Sequence, residues 1–129
     1  MKTLFIFTLL MLCSAPANAE WIAVEKKYQT ADRETVYFDP TTIHRDGTRA
    51  RLWQLTDIKW NSTTRFLSSK THKEFDCERS RVRVLQVVEF SRQMGTGRQT
   101  AGFIENGNWQ WIEERNVNHS LREAACGKR

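Results

Sequence analysis

Cysteine is scarce in this sequence: Cys13, Cys77 and Cys126 are the only three among 129 residues. A structural zinc site needs four sulfur or nitrogen ligands, and only His72 and His119 could join Cys77 and Cys126 in one. His72 and Cys77 are an odd number of residues apart, so on a strand they would face opposite sides. Catalytic signatures are equally thin. Glu113 and Glu114 are adjacent and would diverge on a strand, so they cannot flank a scissile bond. His44, His72 and His119 stand apart from any nucleophile motif, and "GTG" at Gly95 to Gly97 lacks the Lys-Ser/Thr of a phosphate loop. No enzyme, metal or cofactor is expected.

Long apolar runs are missing beyond the N-terminus, so no transmembrane segment is expected in the rest of the chain. There is no internal repeat, low-complexity run or interdomain linker. Massed charge of one sign is missing too. The chain has 20 Lys+Arg against 15 Asp+Glu, interspersed along its length. That mild basicity favours anionic surfaces such as envelope glycans, or serves solubility alone; it does not point to nucleic acid.

The N-terminus itself is informative. Lys2, an apolar run from Leu4 to Leu12, Pro16 and the small residues Ala17 and Ala19 form a secretory signal with an A-x-A cleavage site. Residues 1–19 are read as a signal peptide and 20–129 as one exported domain, periplasmic or at the outer surface. Cys13 raises lipidation as an alternative, but bulky Leu12 stands where a lipidation site usually has a small residue. Cleavage removes only Lys2 among the charged side chains, leaving 19 basic against 15 acidic and a charge of +4.

After the signal, alternating and β-branched segments predominate, with turn residues every ten or so positions. Strands are predicted at Trp21–Lys26, Thr35–Asp39, Thr48–Lys59, Thr64–Cys77, Arg81–Ser91, Gln99–Ile104 and Trp109–Glu113. Asp39-Pro40 should stop the second, and Asp46-Gly47 should reverse the chain into the third. The short, glycine-centred connections imply a meander of antiparallel neighbours. Only the tail is helical: Asn118 could cap it, or Ser120 with Glu123, and Leu121, Ala124 and Ala125 form a stripe that Gly127 ends. About two turns long, such a helix must dock on something. The fold class is therefore α+β, a single antiparallel sheet with a short C-terminal helix on one face.

Strict alternation places Arg49, Arg51, Trp53 and Leu55 on one face of the third strand and Ala50, Leu52, Ile58 and Trp60 on the other. On the fifth it groups Arg81, Arg83, Leu85 and Val87 against Val82, Val84, Val88 and Phe90. In "HKEFDC", Phe75 and Cys77 should face the helix while Glu74 and Asp76 face the arginines. With Cys13 in the signal, Cys77 and Cys126 remain, and in an exported protein their expected state is a disulfide. Zinc and a reactive thiolate lowered by Arg79, Arg81 and Arg83 are the rival readings. The disulfide would close a loop of roughly 50 residues and stabilise the fold by about 4 kcal/mol.

From Trp21 onward the chain resembles the surface-adhesin protein E family of Gram-negative bacteria. The likeness rests on Trp21, "VYFDPTTI" from Val36, "RLWQL" at Arg51 to Leu55, "SSKTHKEFDC" from Ser68, "RVRVLQVVEFS" from Arg81 and the terminal "LREAAC". It implies a sheet of about six strands, a helix tethered to its concave face through Cys77 and Cys126, and export to the envelope or surface. For the family's namesake adhesin it further implies binding of host matrix proteins such as vitronectin and laminin.

Two groups of residues are candidates for binding. The simplest role for five tryptophans is to fill the core, but Trp109 and Trp111, two apart on a strand, share a face as a sugar-stacking pair would. Arg49, Arg51, Lys70, Arg81 and Arg83 could lie with Glu74 and Asp76 on one face as solvated cross-strand pairs, or as a patch for an anionic ligand. The expected function is a non-enzymatic, adhesin-like binding module with host matrix proteins as partners. A periplasmic protein binding an anionic or glycan ligand, or a structural accessory of the envelope, is the alternative. Intact-mass measurement of the exported protein should give a chain beginning at Glu20; an acylated terminus at Cys13 would refute this.

Overall fold

The structure, a computed structural model, describes residues 20–29, 31–59, 65–104 and 107–127. Residues 1–19, read above as a signal peptide and including Cys13, lie outside the described residues, as do Trp60 and Thr64. The strands are β1 (Ile22–Ala23), β2 (Glu34–Asp46), β3 (Arg49–Ile58), β4 (Ser68–Asp76), β5 (Arg81–Phe90), β6 (Gln99–Ile104) and β7 (Gln110–Trp111), followed by helix α1 (Val117–Cys126). They form one antiparallel sheet in sequence order, as short connections dictate. The exception is β7, which pairs with β5 at Arg81 and Val82, on the edge whose other end is covered by β6 from Gln86 to Phe90.

Strand β2 outruns its prediction. Pro40 does not stop it, because the β2–β3 ladder is interrupted there, passing from the Asp39–Trp53 pair to the His44–Arg51 pair. A proline without an N–H fits where the ladder is broken. The Asp39 carboxylate accepts from the Thr41 N–H at 2.9 Å and hydroxyl at 2.6 Å. The Thr42 hydroxyl accepts the Trp53 N–H at 3.0 Å and donates to the Asp39 carbonyl at 2.7 Å. Side chains thus satisfy backbone groups that the bulge leaves unpaired.

A second bulge corrects the face assignment of β5. Pairing shifts from Lys73–Val84 to His72–Gln86, so Leu85 is an extra residue. Beyond it the alternation inverts: Val88 pairs with Lys70 and Phe90 with Ser68, on the arginine side. The first strand shrinks to Ile22–Ala23, and Lys26–Tyr28 turn as a 3-10 helix. There the Gln29 side chain replaces a strand partner, donating to the carbonyls of Val24 and Val36 and accepting the Val36 N–H.

The core lies between the sheet and α1. Leu52, Phe75, Ala50 and Leu121 are fully buried, with Val36, Val82, Cys77 and Ala125 around them. Leu121 and Ala125, four apart, share one helical face, and Ala50 opposite them permits close approach. Asn116, not Asn118 or Ser120, caps the helix by accepting the His119 N–H at 3.3 Å. Gly127, at φ 87°, ends it. Cys77 and Cys126 are bonded, with Cα atoms 5.5 Å apart. Around the bond, the Arg122 guanidinium donates to the carbonyls of Asp76 and Cys77 and Arg45 donates to that of Cys126.

A 10-residue helix has little independent stability. Closing 49 residues of chain separation, the disulfide should contribute about 4 kcal/mol. The Cys77→Ala/Cys126→Ala variant should lose stability of that order in urea, with amide exchange accelerated first in α1; an unchanged midpoint would show the helix held by packing alone.

Candidate functional site

The face of the sheet away from α1 is organised by register. In one row across β3, β4 and β5 lie Arg49, Asp76 and Arg81, with Trp111 of β7 beyond; in the next lie His44, Arg51, Glu74 and Arg83. A third holds Asp39, Trp53, His72 and Gln86.

Glu74 is the hub. Its side chain is only 4% exposed, and it accepts from Arg83 through Nε at 2.9 Å and Nη2 at 2.6 Å, and from Arg51 Nε at 3.0 Å, with Arg49 Nη1 at 3.8 Å. Three guanidinium groups around one buried carboxylate satisfy its lone pairs and offset its desolvation. Asp76 accepts from Arg81 through Nε at 3.2 Å and Nη2 at 2.9 Å, and from the backbone N–H groups of Glu78 and Arg79, each at 3.0 Å. Burial pushes the Asp76 carboxyl up, but the Arg79 amide, the Arg81 fork and the Glu78 amide outweigh it and hold the group below the usual carboxylate range.

Trp109 lies against this cluster. Its ring centroid is 4.6 Å from the Arg83 guanidinium carbon, 4.8 Å from that of Arg81 and 5.4 Å from that of Arg49. Such contacts favour guanidinium over the indole face. Trp53 stacks on His72 with centroids 4.7 Å apart and planes 7° from parallel. Burial, followed by the Arg51 charge, pushes the His72 imidazolium down against the opposing pull of Glu74, so the ring is neutral at neutral pH.

The sequence candidates therefore meet on one face. Arg49, Arg51, Arg81 and Arg83 share two carboxylates; with exposed Asp46 counted beside Arg49, the patch still carries excess positive charge. Trp109 and Trp111 lie on the same side, Trp109 half-buried and Trp111 74% exposed. Neither they nor Trp53 nor Trp21 belongs to the buried core, contrary to the simplest reading of the tryptophans. Lys70 lies apart. Its ammonium is 5.1 Å from the Phe90 ring and 5.6 Å from that of Trp21, beside fully buried Leu55. The turn at Gln93–Gly95 folds over that end, fixed by the Met94 N–H to Asp57 at 2.8 Å and the Gly95 N–H to the Ser68 hydroxyl at 2.8 Å. Ile104, 81% exposed and paired with Gln86, extends the apolar rim started by Trp111. Sequence reading missed it because the same alternating pattern suits an edge strand with either face covered.

A single antiparallel sheet with one helix bound to it by a terminal disulfide, and with an arginine-tryptophan surface opposite, defines a small α+β scaffold. The model of the surface-adhesin protein E family matches residues 21–127, and the chain belongs to that family. Solved structures of Haemophilus influenzae protein E share its fold. The selenomethionine form superimposes with a TM-score of 0.64 at 11% identity, covering 84% of this chain and 87% of that one. Protein E from a non-typeable strain gives 0.61 at 12% identity, covering 86% and 79% respectively. No curated protein matches the chain in sequence. Among the described residues no helix is long and apolar enough to cross a membrane.

Because the folded-state pKa of Asp76 is depressed, its contribution to stability is present above the ordinary carboxylate pKa and is lost as pH falls through the folded value. Asp76→Asn should lower the melting temperature at pH 7 and flatten its decline below about pH 4. A parallel decline in both proteins would refute the role given to Asp76.

Proposed function

We propose that this protein is an exported, non-enzymatic adhesin-like module that attaches to host or matrix proteins through acidic or sulfated groups received on its arginine-tryptophan face. The observation that carries this reading is the pre-positioned basic floor beside an apolar rim. Arg51 and Arg83 are held by Glu74, and Arg81 by Asp76, so little side-chain freedom remains to be lost when an anion arrives. Arg49, 3.8 Å from Glu74 and with 49% of its side chain exposed, is the arginine with most capacity to spare. Trp111 supplies exposed apolar area at the far end of the same row, beside Arg81, with Trp109 against the guanidinium groups between them, the combination of aromatic and arginine that interface centres favour. Family membership supports the surface setting.

The variants that test this must spare the anchors. Reversing Arg81 or Arg83 would strand a buried carboxylate and unfold the site. Arg49→Ala with Trp111→Ala leaves those pairs intact and should weaken binding to immobilised heparin and matrix proteins by about tenfold or more, with only a small loss in melting temperature because Arg51 and Arg83 still pair Glu74. Wild-type binding should also fall as salt rises. No wild-type binding, or equal binding by the variant, would remove the proposal. Protease shaving of intact cells should remove the protein; protection would place it in the periplasm and favour an envelope ligand.

A further inference from the structure

The helix side of the sheet holds a second recess, unconnected with the arginine face. It has a volume of about 250 Å³ and lies between the N-terminus of α1 and strands β2 to β4. Lys73, Gln54, Glu34, Asn118, Val36 and Thr56 are among the residues that line it. In the register Leu52 pairs with Lys73 and Gln54 with Thr71, so Gln54 and Lys73 are diagonal neighbours on the helix face. Diagonal positions of this kind stand roughly 7 Å apart.

Their polar groups are unmatched in complementary ways. Gln54 is only 7% exposed; its Nε2 donates to the Thr56 hydroxyl at 2.9 Å, but its Oε1 is buried and has no hydrogen-bond partner. Buried acceptors are nearly always paired, so this one calls for a donor. Lys73 donates to the Asn118 side-chain oxygen at 2.7 Å, a neutral partner, and among the described residues no carboxylate forms an ion pair with it. Burial pushes Lys73 down to about 8, which leaves it charged at neutral pH. The first turn of α1 adds the N–H groups of Val117 and Asn118, which have no acceptor within the helix. One end of the recess therefore attracts an anion. The other has the Glu34 carboxylate on its lining and Gln54 beside it, whose unpaired oxygen is enclosed and comes within reach of a donor, best a cationic one, when the amide group turns toward the recess.

We propose that this recess binds a small zwitterion of the α-amino acid type, its carboxylate on Lys73 and the start of α1, its ammonium on Gln54 Oε1 and toward Glu34. The two charges of an α-amino acid sit on adjacent carbons, which suits a short diagonal span. The volume lies below the range for drug-sized ligands and suits a molecule of this size. Val36 offers an apolar wall to the side chain.

The test is titration of the intact, disulfide-bonded protein with each common L-amino acid, followed by amide NMR and thermal shift. Acetate and methylammonium, each carrying one of the two charges, serve as controls. At least one amino acid should shift the Asn116 to His119 amides and the Gln54 side-chain amide saturably and raise the melting temperature, with neither control doing so. Lys73→Met and Gln54→Leu should each weaken that binding about tenfold or more. Gln54→Leu removes an unpaired acceptor and should melt no lower than wild type, so its loss of binding is not a loss of fold. No shift with any amino acid at millimolar concentration, an equal response to acetate alone, or undiminished binding by both variants would overturn the proposal.

Discussion

The alternation of β4 is the constraint on which the rest depends. Phe75 and Cys77 turn toward α1, where Phe75 packs with Leu52 and Leu121 and Cys77 is bonded to Cys126. Glu74 and Asp76, their immediate neighbours, turn the other way and gather four arginines. Because side chains change face at every residue, the core and the basic surface are set by one short run of chain and cannot slip independently. A one-residue shift would bury Glu74 under the helix and expose Phe75. The disulfide at the end of this strand holds the helix against that register, and Arg122 binds the Asp76 and Cys77 carbonyls at the same corner.

Burying two carboxylates in a small sheet is costly, and buried ion pairs generally give little net stability over apolar packing. What this arrangement does provide is order. The Arg83 fork on Glu74 and the Arg81 fork on Asp76 fix two long side chains that would otherwise sample many rotamers, and the Trp109 ring against both of them limits them further. A surface of loose arginines would lose that freedom on each encounter with an anion. Here most of it has been lost on folding.

Much of this was legible in the sequence, and for the same physical reason. Two-residue periodicity separates Phe75 and Cys77 from Glu74 and Asp76 without any structure, and glycine after aspartate at Gly47, φ 58°, marks the β2–β3 reversal. Periodicity fails where a residue is inserted. Leu85 inverts the faces of β5 and so carries Val88 and Phe90 to the arginine side, yet a run of valines reads equally well in either phase. Pro40 read as a stop because only tertiary pairing reveals that the ladder is already broken around it. The cap at Asn116 was hidden among Asn116, Asn118 and Ser120, all competent to cap, since docking selects the start of a marginal helix. The recess beside Lys73 was hidden differently: strand pattern puts Lys73 on the helix face with Phe75, but only the placement of α1 shows that its partner there is an amide.

The two edges of the sheet are handled in opposite ways, and this gives the arginine face a direction. At the β2 edge, β1 covers Tyr37 and Phe38, the Gln29 side chain takes both backbone groups of Val36, and Asp39 and the threonines occupy the bulge. From Val36 to Phe38 that edge is therefore already paired. At the other edge, β6 and β7 flank β5 as two short segments carrying Ile104 at 81% exposure and Trp111 at 74% on the arginine side, with Phe103 at 45% on the helix side. Gly107 sits between them so close to Val84 that a Cβ would come within 2.6 Å of its carbonyl oxygen, which keeps the interrupted segment tight against β5. The basic floor thus meets exposed apolar side chains, Trp111 and Ile104, on one side and the paired backbone of Val36 to Phe38 on the other. A partner that uses both charge and apolar contact can meet them together only from the β6–β7 side.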